Sequence, residues 1–156
     1  MKYYWVVFII CVSTQFSLHA QNLPEEKWYL FDADVMGHFY KSNGEKLIKT
    51  DLRGNEMANY QNSFLGEIVS IDCFKGLINL VYHGSANTAV LLNNQLAPIG
   101  QPIEPDKAGF YEIAAICTAA DDNFWIADAQ TGQLLLIDKN MQIVQRGAIF
   151  TQYMST

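Results

Sequence analysis

The feature that most constrains this fold is a repeat with a period of 45 residues. Shifting the sequence by 45 positions places 67–71 on 112–116 and 90–94 on 135–139 without a gap. The match lies in residue class and in the positions of the polar breaks. Such a period is typical of arrays in which each unit buries its apolar surface against its neighbours.

Each unit predicts four short strands. The breaks between them are rich in Asp, Asn and Gly, which favour turns because they tolerate left-handed backbone or bond their own main chain. In the last unit the predicted strands cover residues 113–118, 124–127, 133–137 and 141–149. A looser copy precedes the two clear ones, and no convincing helical period is present in the mature chain. The sequence therefore predicts an all-β fold of about three four-stranded units, with a β-sandwich or small barrel as the alternative, and places the units roughly at 27–62, 66–105 and 111–150.

The amino terminus predicts a secretory signal peptide over residues 1–20, with cleavage at or near Ala20. It begins with Lys2, continues with ten apolar residues over 3–12 and ends on a small residue, which is the signal-peptide pattern. A membrane span needs about 20 apolar residues, so an uncleaved anchor is disfavoured. We expect an exported protein, periplasmic or extracellular, whose mature domain covers 21–156.

Composition narrows the classes of partner. The chain carries a net charge of −6, and removal of the leader, whose only charged residue is Lys2, makes it −7. An acidic domain repels phosphate backbones, so nucleic-acid binding is disfavoured. The partner stays open between a protein and a glycan. Cys73 and Cys117 remain in the mature chain, and we favour two buried apolar residues over a disulfide.

The third unit carries a family resemblance. Phe124-Trp125-Ile126-Ala127-Asp128 followed by Leu135-Leu136-Ile137-Asp138 resembles the blades of NHL-type, six-bladed or quinoprotein-like β-propellers. The resemblance covers roughly residues 27–150 and implies an exported repeat protein. It brings no catalytic, cofactor or metal motif onto this chain. Three units are fewer than the four to eight blades of a typical closed ring, so the resemblance implies an incomplete propeller.

Candidate chemical residues each have a simpler structural explanation. His38 and His83, the only mature histidines, are expected in surface turns rather than as bases or metal ligands. Asp32 and Asp34 could share a strand face and bind calcium, but a solvated strand end is favoured. Turn formation explains the acidic loops at 121–123 and 128–132 without a cation.

Trp28 and Trp125 could stack a sugar or peptide, but we expect both in the core. We therefore name no catalytic, cofactor or metal residue. The leading hypothesis is a non-catalytic exported binding or scaffold protein. The alternative is part of an exported hydrolase or lyase acting on glycans or lactones, with candidate residues Asp32, Asp34, Asp72 and Asp128. A third is a gene fragment without independent function.

The ends of the stack set a further expectation. Each unit covers its faces with its neighbours, so an open stack exposes apolar surface unless the end units are polar. The first unit is expected to act as a cap, and the third to present apolar faces. The chain would then continue into further blades or self-associate. The cap residues are Lys41, Glu45, Lys46, Lys49 and Asp51.

Overall fold

A computed structural model describes residues 26–150, so the predicted leader lies outside the described residues. It contains three separate four-stranded antiparallel sheets, which confirms the predicted all-β class and the four-strand unit. No helix of the described part is long and apolar enough to cross a membrane. The strands are β1 (Leu30–Ala33), β2 (Phe39–Ser42), β3 (Lys46–Thr50), β4 (Glu56–Gln61), β5 (Ile68–Asp72), β6 (Ile78–His83), β7 (Thr88–Asn93), β8 (Pro98–Ile103), β9 (Ile113–Thr118), β10 (Phe124–Asp128), β11 (Gln133–Ile137) and β12 (Ile143–Ile149).

Each sheet is a simple meander in which consecutive strands are hydrogen-bonded neighbours. The first strands lie side by side, with β1 next to β5 and β5 next to β9. In a meander, strands 1 and 3 run in the same direction, so the turn after strand 1 and the turn after strand 3 lie at one end of the sheet. We call this end of the three sheets the turn end.

The turn between the third and fourth strands is the same in all three sheets. A side-chain oxygen of Asp51, Asn93 or Asp138 accepts backbone N–H bonds from the residues two and four positions later, at 2.8–3.0 Å. This local bond stabilises a tight turn whatever its neighbours are. The repeat seen in the sequence is therefore a repeat of hydrogen bonds as well as of strands.

Two apolar cores fill the spaces between neighbouring sheets. The β6 strand has buried residues on both faces, as its apolar sequence predicts, because it contributes to both cores. The core between the first and second sheets includes Tyr40, Leu47, Tyr60, Val81, Val90 and Leu92. The core between the second and third sheets includes Leu80, Tyr82, Ile116, Phe124, Ile126 and Leu135.

His83 corrects the expectation of a surface turn histidine, because it is fully buried at the end of β6. Its Nε2 lies 3.1 Å from the Tyr60 hydroxyl oxygen and its Nδ1 lies 2.8 Å from the Gly66 carbonyl oxygen. Both ring nitrogens thus have hydrogen-bond partners, which offsets the desolvation cost of burying the imidazole. Burial lowers the pKa of His83, against the raising effect of the Gly66 bond.

The two tryptophans also differ from the expected core positions. Trp28 is half-buried, and Lys41 Nζ lies 4.5 Å from its ring centre. Trp125 is half-buried on the face of β10 opposite to the buried Phe124 and Ile126. A strand alternates its faces, so the core positions of β10 go to Phe124 and Ile126.

The cysteines do not pair in the structure. Cys73 is buried, as predicted, whereas Cys117 is exposed. Burial and the neighbouring carboxylates Asp32, Asp72 and Asp34 raise the pKa of the Cys73 thiol far above its usual range. The expectation of two buried cysteines is therefore correct for Cys73 and wrong for Cys117.

Candidate functional site

Five large apolar side chains are exposed at the turn end. Val35 is 66% exposed, Leu77 65% and Phe74 62%. Met36 lies beside them, and Leu52 lies in the neighbouring β3–β4 turn. Turns are usually polar, and clustered exposed apolar groups mark binding surfaces. We call these five residues the turn surface.

The turn surface is held together by backbone contacts between the first two sheets. The Val35 N–H donates to the Phe74 carbonyl oxygen at 3.0 Å, which joins the β1–β2 turn to the β5–β6 turn. Gly76 has a φ of +68°, and a Cβ atom there would lie only 2.6 Å from Met36 Cε. Glycine therefore serves both the left-handed turn and the packing of Met36.

A cavity of about 300 Å³ opens beside the turn surface, between the second and third sheets. Lys75 lies at its edge, and its Nζ donates to the Ala119 carbonyl oxygen at 2.6 Å. Lys75 and Ile78 of its lining are chain neighbours of Phe74 and Leu77, so the groove that this cavity forms lies beside the turn surface. Its lining includes Ile78, Leu91, Phe124, Lys75, Asp122 and Lys139.

The opposite end of the sheets carries a polar cavity. A cavity of about 570 Å³ there is lined by Asn43, Glu45, Gln61 and Glu67, among others. The Tyr29 hydroxyl donates to Glu67 Oε1 at 2.7 Å, and this bond to a carboxylate, followed by burial, raises the pKa of Tyr29 to about 12. This cavity is therefore polar and carries two carboxylates, whereas the turn surface is made of apolar side chains.

Neither a family model nor a curated protein matches the sequence. Solved structures do match the fold. A virginiamycin B lyase from Staphylococcus aureus is 14% identical, with a TM-score of 0.57 over 80% of this chain and 42% of that one. The β-propeller domain of Cps50 (Swd1) from Myceliophteria thermophila is 15% identical, with a TM-score of 0.54 over 75% and 40%.

A protein of unknown function from Bacteroides caccae is also similar, at 16% identity and a TM-score of 0.55 over 80% of this chain and 47% of that one. The chain thus spans less than half the length of each of these structures. The fold is decided by two observations: the three meander sheets have adjacent first strands, and the solved structures that match them are propellers. Residues 26–150 form three β-propeller blades. The predicted resemblance is confirmed at the level of fold, and the three sheets are blades 1 to 3 in chain order.

Asp34 is the centre of a buried polar network at the turn end of blade 1. Its Oδ1 accepts the Met36 and His38 backbone N–H groups, both at 2.9 Å. Its Oδ2 lies 2.8 Å from His38 Nδ1 and accepts the Tyr40 hydroxyl at 2.9 Å. Burial raises the pKa of Asp34, but these bonds outweigh burial and lower the pKa to about 2. The expectation of a solvated strand end is therefore wrong for Asp34.

Lys49 corrects the expectation of a polar cap residue. It is almost wholly buried between blades 1 and 2, where its Nζ donates to the side-chain and main-chain oxygens of Asn94. Its Nζ also lies 3.9 Å from Asp34 Oδ2. Burial lowers the pKa of Lys49, and the Asp34 carboxylate opposes that effect. Lys49 thus ties blade 1 to the β7–β8 turn of blade 2.

Asp32 and Asp72 join successive blades through the same bond. Asp32 Oδ2 accepts the Cys73 N–H at 2.6 Å, and Asp72 Oδ2 accepts the Thr118 N–H at 2.6 Å. The Thr118 hydroxyl also donates to Asp72, at 2.7 Å. These are carboxylate clamps between blades, so Asp32 too differs from a solvated strand end. Charge-assisted bonds of this kind are among the stronger ones.

Asp128, the last acidic candidate, lies at the other end of the blades. Its carboxylate accepts the Gln130 N–H at 3.1 Å and the Thr131 hydroxyl at 2.6 Å, which closes the β10–β11 turn. Asp121 and Asp122 form the β9–β10 turn with positive φ angles. Within residues 26–150, no group of three or more His, Cys, Asp or Glu side chains is placed to hold a metal.

The structure therefore separates the sequence candidates. Asp32, Asp34 and Asp72 serve blade joints at the turn end, and Asp128 serves a turn at the opposite end. Sequence reasoning missed the turn surface. The signal for it is present, because Val35, Met36, Phe74 and Leu77 are apolar residues inside turns, but their proximity depends on the joint between blades 1 and 2.

Proposed function

We propose that this chain is a non-catalytic exported binding or scaffold protein that engages a protein partner through its turn surface. The observation that carries this proposal is the cluster of Val35, Met36, Phe74 and Leu77, exposed at the turn end beside an apolar groove. Aliphatic and Met side chains with a single aromatic ring suit an apolar protein segment. A glycan platform would need more aromatic faces with polar groups around them.

The partners of the buried charged groups support the same proposal. The buried carboxylates Asp34 and Asp128 and the ammonium group of Lys49 have intramolecular partners. These groups stabilise the blades, so their charges are satisfied within the chain rather than offered to a ligand. Export is inferred from the amino-terminal pattern of residues 1–20.

The test immobilises the wild type and two variants and compares the cell-envelope proteins that each of them retains. Phe74→Ser with Leu77→Ser removes the centre of the turn surface, and Phe64→Ser is the matched control because Phe64 is 98% exposed in the β4–β5 connection at the other end. We expect a cell-envelope protein to bind the wild type and the Phe64→Ser variant, and purified partner to bind the double variant at least about tenfold more weakly. Equal binding by all three would exclude the turn surface.

An exported hydrolase or lyase is the second candidate, because His38 and Asp34 form a pair of the kind that orients a general base. His38 Nδ1 faces Asp34, and the ring is partly exposed at a shallow cavity of about 280 Å³ that Arg53 also lines. A panel of glycoside and lactone substrates distinguishes the candidates. Turnover that His38→Gln abolishes, with folding retained, would favour the enzyme and contradict the binding protein.

A further inference from the structure

The stack of blades has two outer faces that present apolar side chains. On the outer face of blade 1, Phe31 is 67% and Phe39 51% exposed. The outer face of blade 3 carries the exposed Cys117 and the half-buried Trp125 and Leu136. Among residues 26–150, no strand covers either face. Apolar sheet faces of this kind are normally covered by another layer.

The outer face of blade 3 has the same residue pattern as the face of blade 2 that packs against blade 3. In blade 2, Leu80 pairs with Leu91 across the strands, and both belong to the core shared with blade 3. Trp125 and Leu136 form the corresponding pair in blade 3. The outer face of blade 3 is therefore built to receive another blade.

The outer face of blade 1 has the same residue pattern as the face of blade 3 that packs against blade 2. Phe124 and Leu135 are buried in that joint. The strand register places Phe39 and Ile48 at the corresponding positions of blade 1. Lys41 and Lys46 are the charged exceptions, and the ammonium groups of both lie over one indole ring. The two outer faces thus correspond to the two sides of the joint between blades 2 and 3, and they can pack against each other in the same way.

We propose that two copies of this chain close a six-bladed ring, with blade 3 of each copy seated on blade 1 of the other. A twofold axis makes the two closing joints identical. Three blades span 40%, 42% and 47% of the three matched chains, which corresponds to rings of about six to eight blades, and six lies within the four to eight of closed propellers. A second copy is the occupant because both closing surfaces belong to the same chain.

The closing joint differs from the internal joints in one position. Asp32 and Asp72 clamp the next blade, and the strand register puts Cys117 at the same position in blade 3. In the ring, Cys117 faces Ala33 of the partner subunit. The Ala33 N–H is already bonded to Asp32 Oδ1 of its own blade at 2.8 Å. The closing joint therefore lacks a carboxylate clamp without leaving that donor unpaired, and we expect it to open on dilution before the blades unfold.

Engineered disulfide formation tests the joint. Ala33→Cys places a thiol opposite Cys117 of the partner subunit, so mild oxidation should convert most of the mature chain to a covalent species of twice its mass. Adding Cys117→Ser should abolish that species. Glu45→Cys, an exposed thiol away from both outer faces, is the matched control and should stay at single mass.

Two results of the oxidation experiment would overturn the ring. One is single mass for oxidised Ala33→Cys. The other is a Cys117–Cys117 disulfide in the wild type, because the ring places the two Cys117 residues in different joints. A dilution series by light scattering gives a second measure: Trp125→Arg or Phe39→Arg, checked for folding by circular dichroism, should raise the dimer dissociation constant at least about tenfold. A wild-type chain that stays monomeric at every concentration would also exclude the ring.

Discussion

At the residue scale, the buried polar groups explain why blade 1 holds its position. Asp34 receives four hydrogen bonds and faces Lys49, whose ammonium group reaches blade 2. A buried charge that keeps its partners is tolerated, whereas one that loses them is strongly destabilising. The stability of this end of the molecule therefore depends on the complete network rather than on one bond.

Replacing Asp34 with Asn should lower the free energy of unfolding by about 3 kcal/mol, because Lys49 loses its carboxylate and His38 and Tyr40 lose a charged acceptor. Urea denaturation at pH 7 measures the loss. Asp121→Asn, in an exposed turn, is the matched control and should change stability by less than about 0.5 kcal/mol. Equal effects of the two substitutions would contradict a structural role for the network.

The same carboxylate predicts an acid-sensitive stability. Its pKa falls from 3.8 to about 2 on folding, so the unfolded chain takes up the proton first. The stabilisation by Asp34 is complete above about pH 4 and is lost as the pH falls towards 2. Urea midpoints at pH 5, 3.5 and 2.5 should fall less steeply in Asp34→Asn than in the wild type. Parallel profiles would show that Asp34 does not contribute.

His83 predicts a second pH dependence, of the kind seen when a histidine is buried in its neutral form. Burial lowers its pKa below 6.5, so the unfolded chain binds a proton that the folded chain does not. Stability should therefore decrease as the pH falls below about 6.5. Comparing urea midpoints at pH 7.5 and 5.5 tests this, and His83→Gln should show a smaller change between them. An unchanged pH response in that variant would assign the effect elsewhere.

At the element scale, joints between blades repeat as faithfully as the blades do. Each of the first two blades carries, near the end of its first strand, an aspartate that accepts a backbone N–H of the next blade. This residue is Asp32 in one joint and Asp72 in the other. The β3–β4, β7–β8 and β11–β12 turns share one side-chain bond. Local turns set the strand order, and the clamps set how one blade meets the next.

Replacing Asp72 with Ala should cost about 2 kcal/mol, because the partly buried Thr118 N–H and hydroxyl lose their charged acceptor. Asp72→Asn retains an acceptor oxygen and should cost less, and Ser70→Ala in the same strand should cost little. Denaturation gives the energies, and hydrogen exchange at Thr118 should become faster in Asp72→Ala alone. Unchanged exchange at Thr118 would mean that the clamp does not hold the joint.

At the scale of the whole molecule, the three blades within residues 26–150 form two buried joints and have two outer faces. The polar cap expected of blade 1 is incomplete. Lys41 and Lys46 lie on its outer face, but Lys49 is buried and two phenylalanines, Phe31 and Phe39, face outwards. The apolar outer face expected of blade 3 is present, with Trp125 at its centre. An open stack with two such faces gains stability whenever another blade layer covers them.

The exported form is expected to start at or within a few residues of Gln21. The apolar run of residues 3–12 is too short to span a bilayer and follows a basic start. Intact-mass measurement of protein recovered from the culture medium or periplasm tests this. A mass that includes residues 1–20 would contradict cleavage.

The sequence by itself determined the all-β class, the four-strand unit and the turns, because these depend on residues close together in the chain. Asp138 closes its turn with Asn140 and Gln142, a bond that the local sequence is sufficient to form. Only the tertiary structure decided the burial of Lys49 and His83, the carboxylate clamps and the turn surface. Their partners lie far along the chain: Asn94 is 45 residues from Lys49, and Cys73 is 41 residues from Asp32. From the sequence alone, a polar residue is expected to be exposed. Here the neighbouring blade both buries the residue and supplies its hydrogen-bond partners, so these contacts depend on how the blades pack.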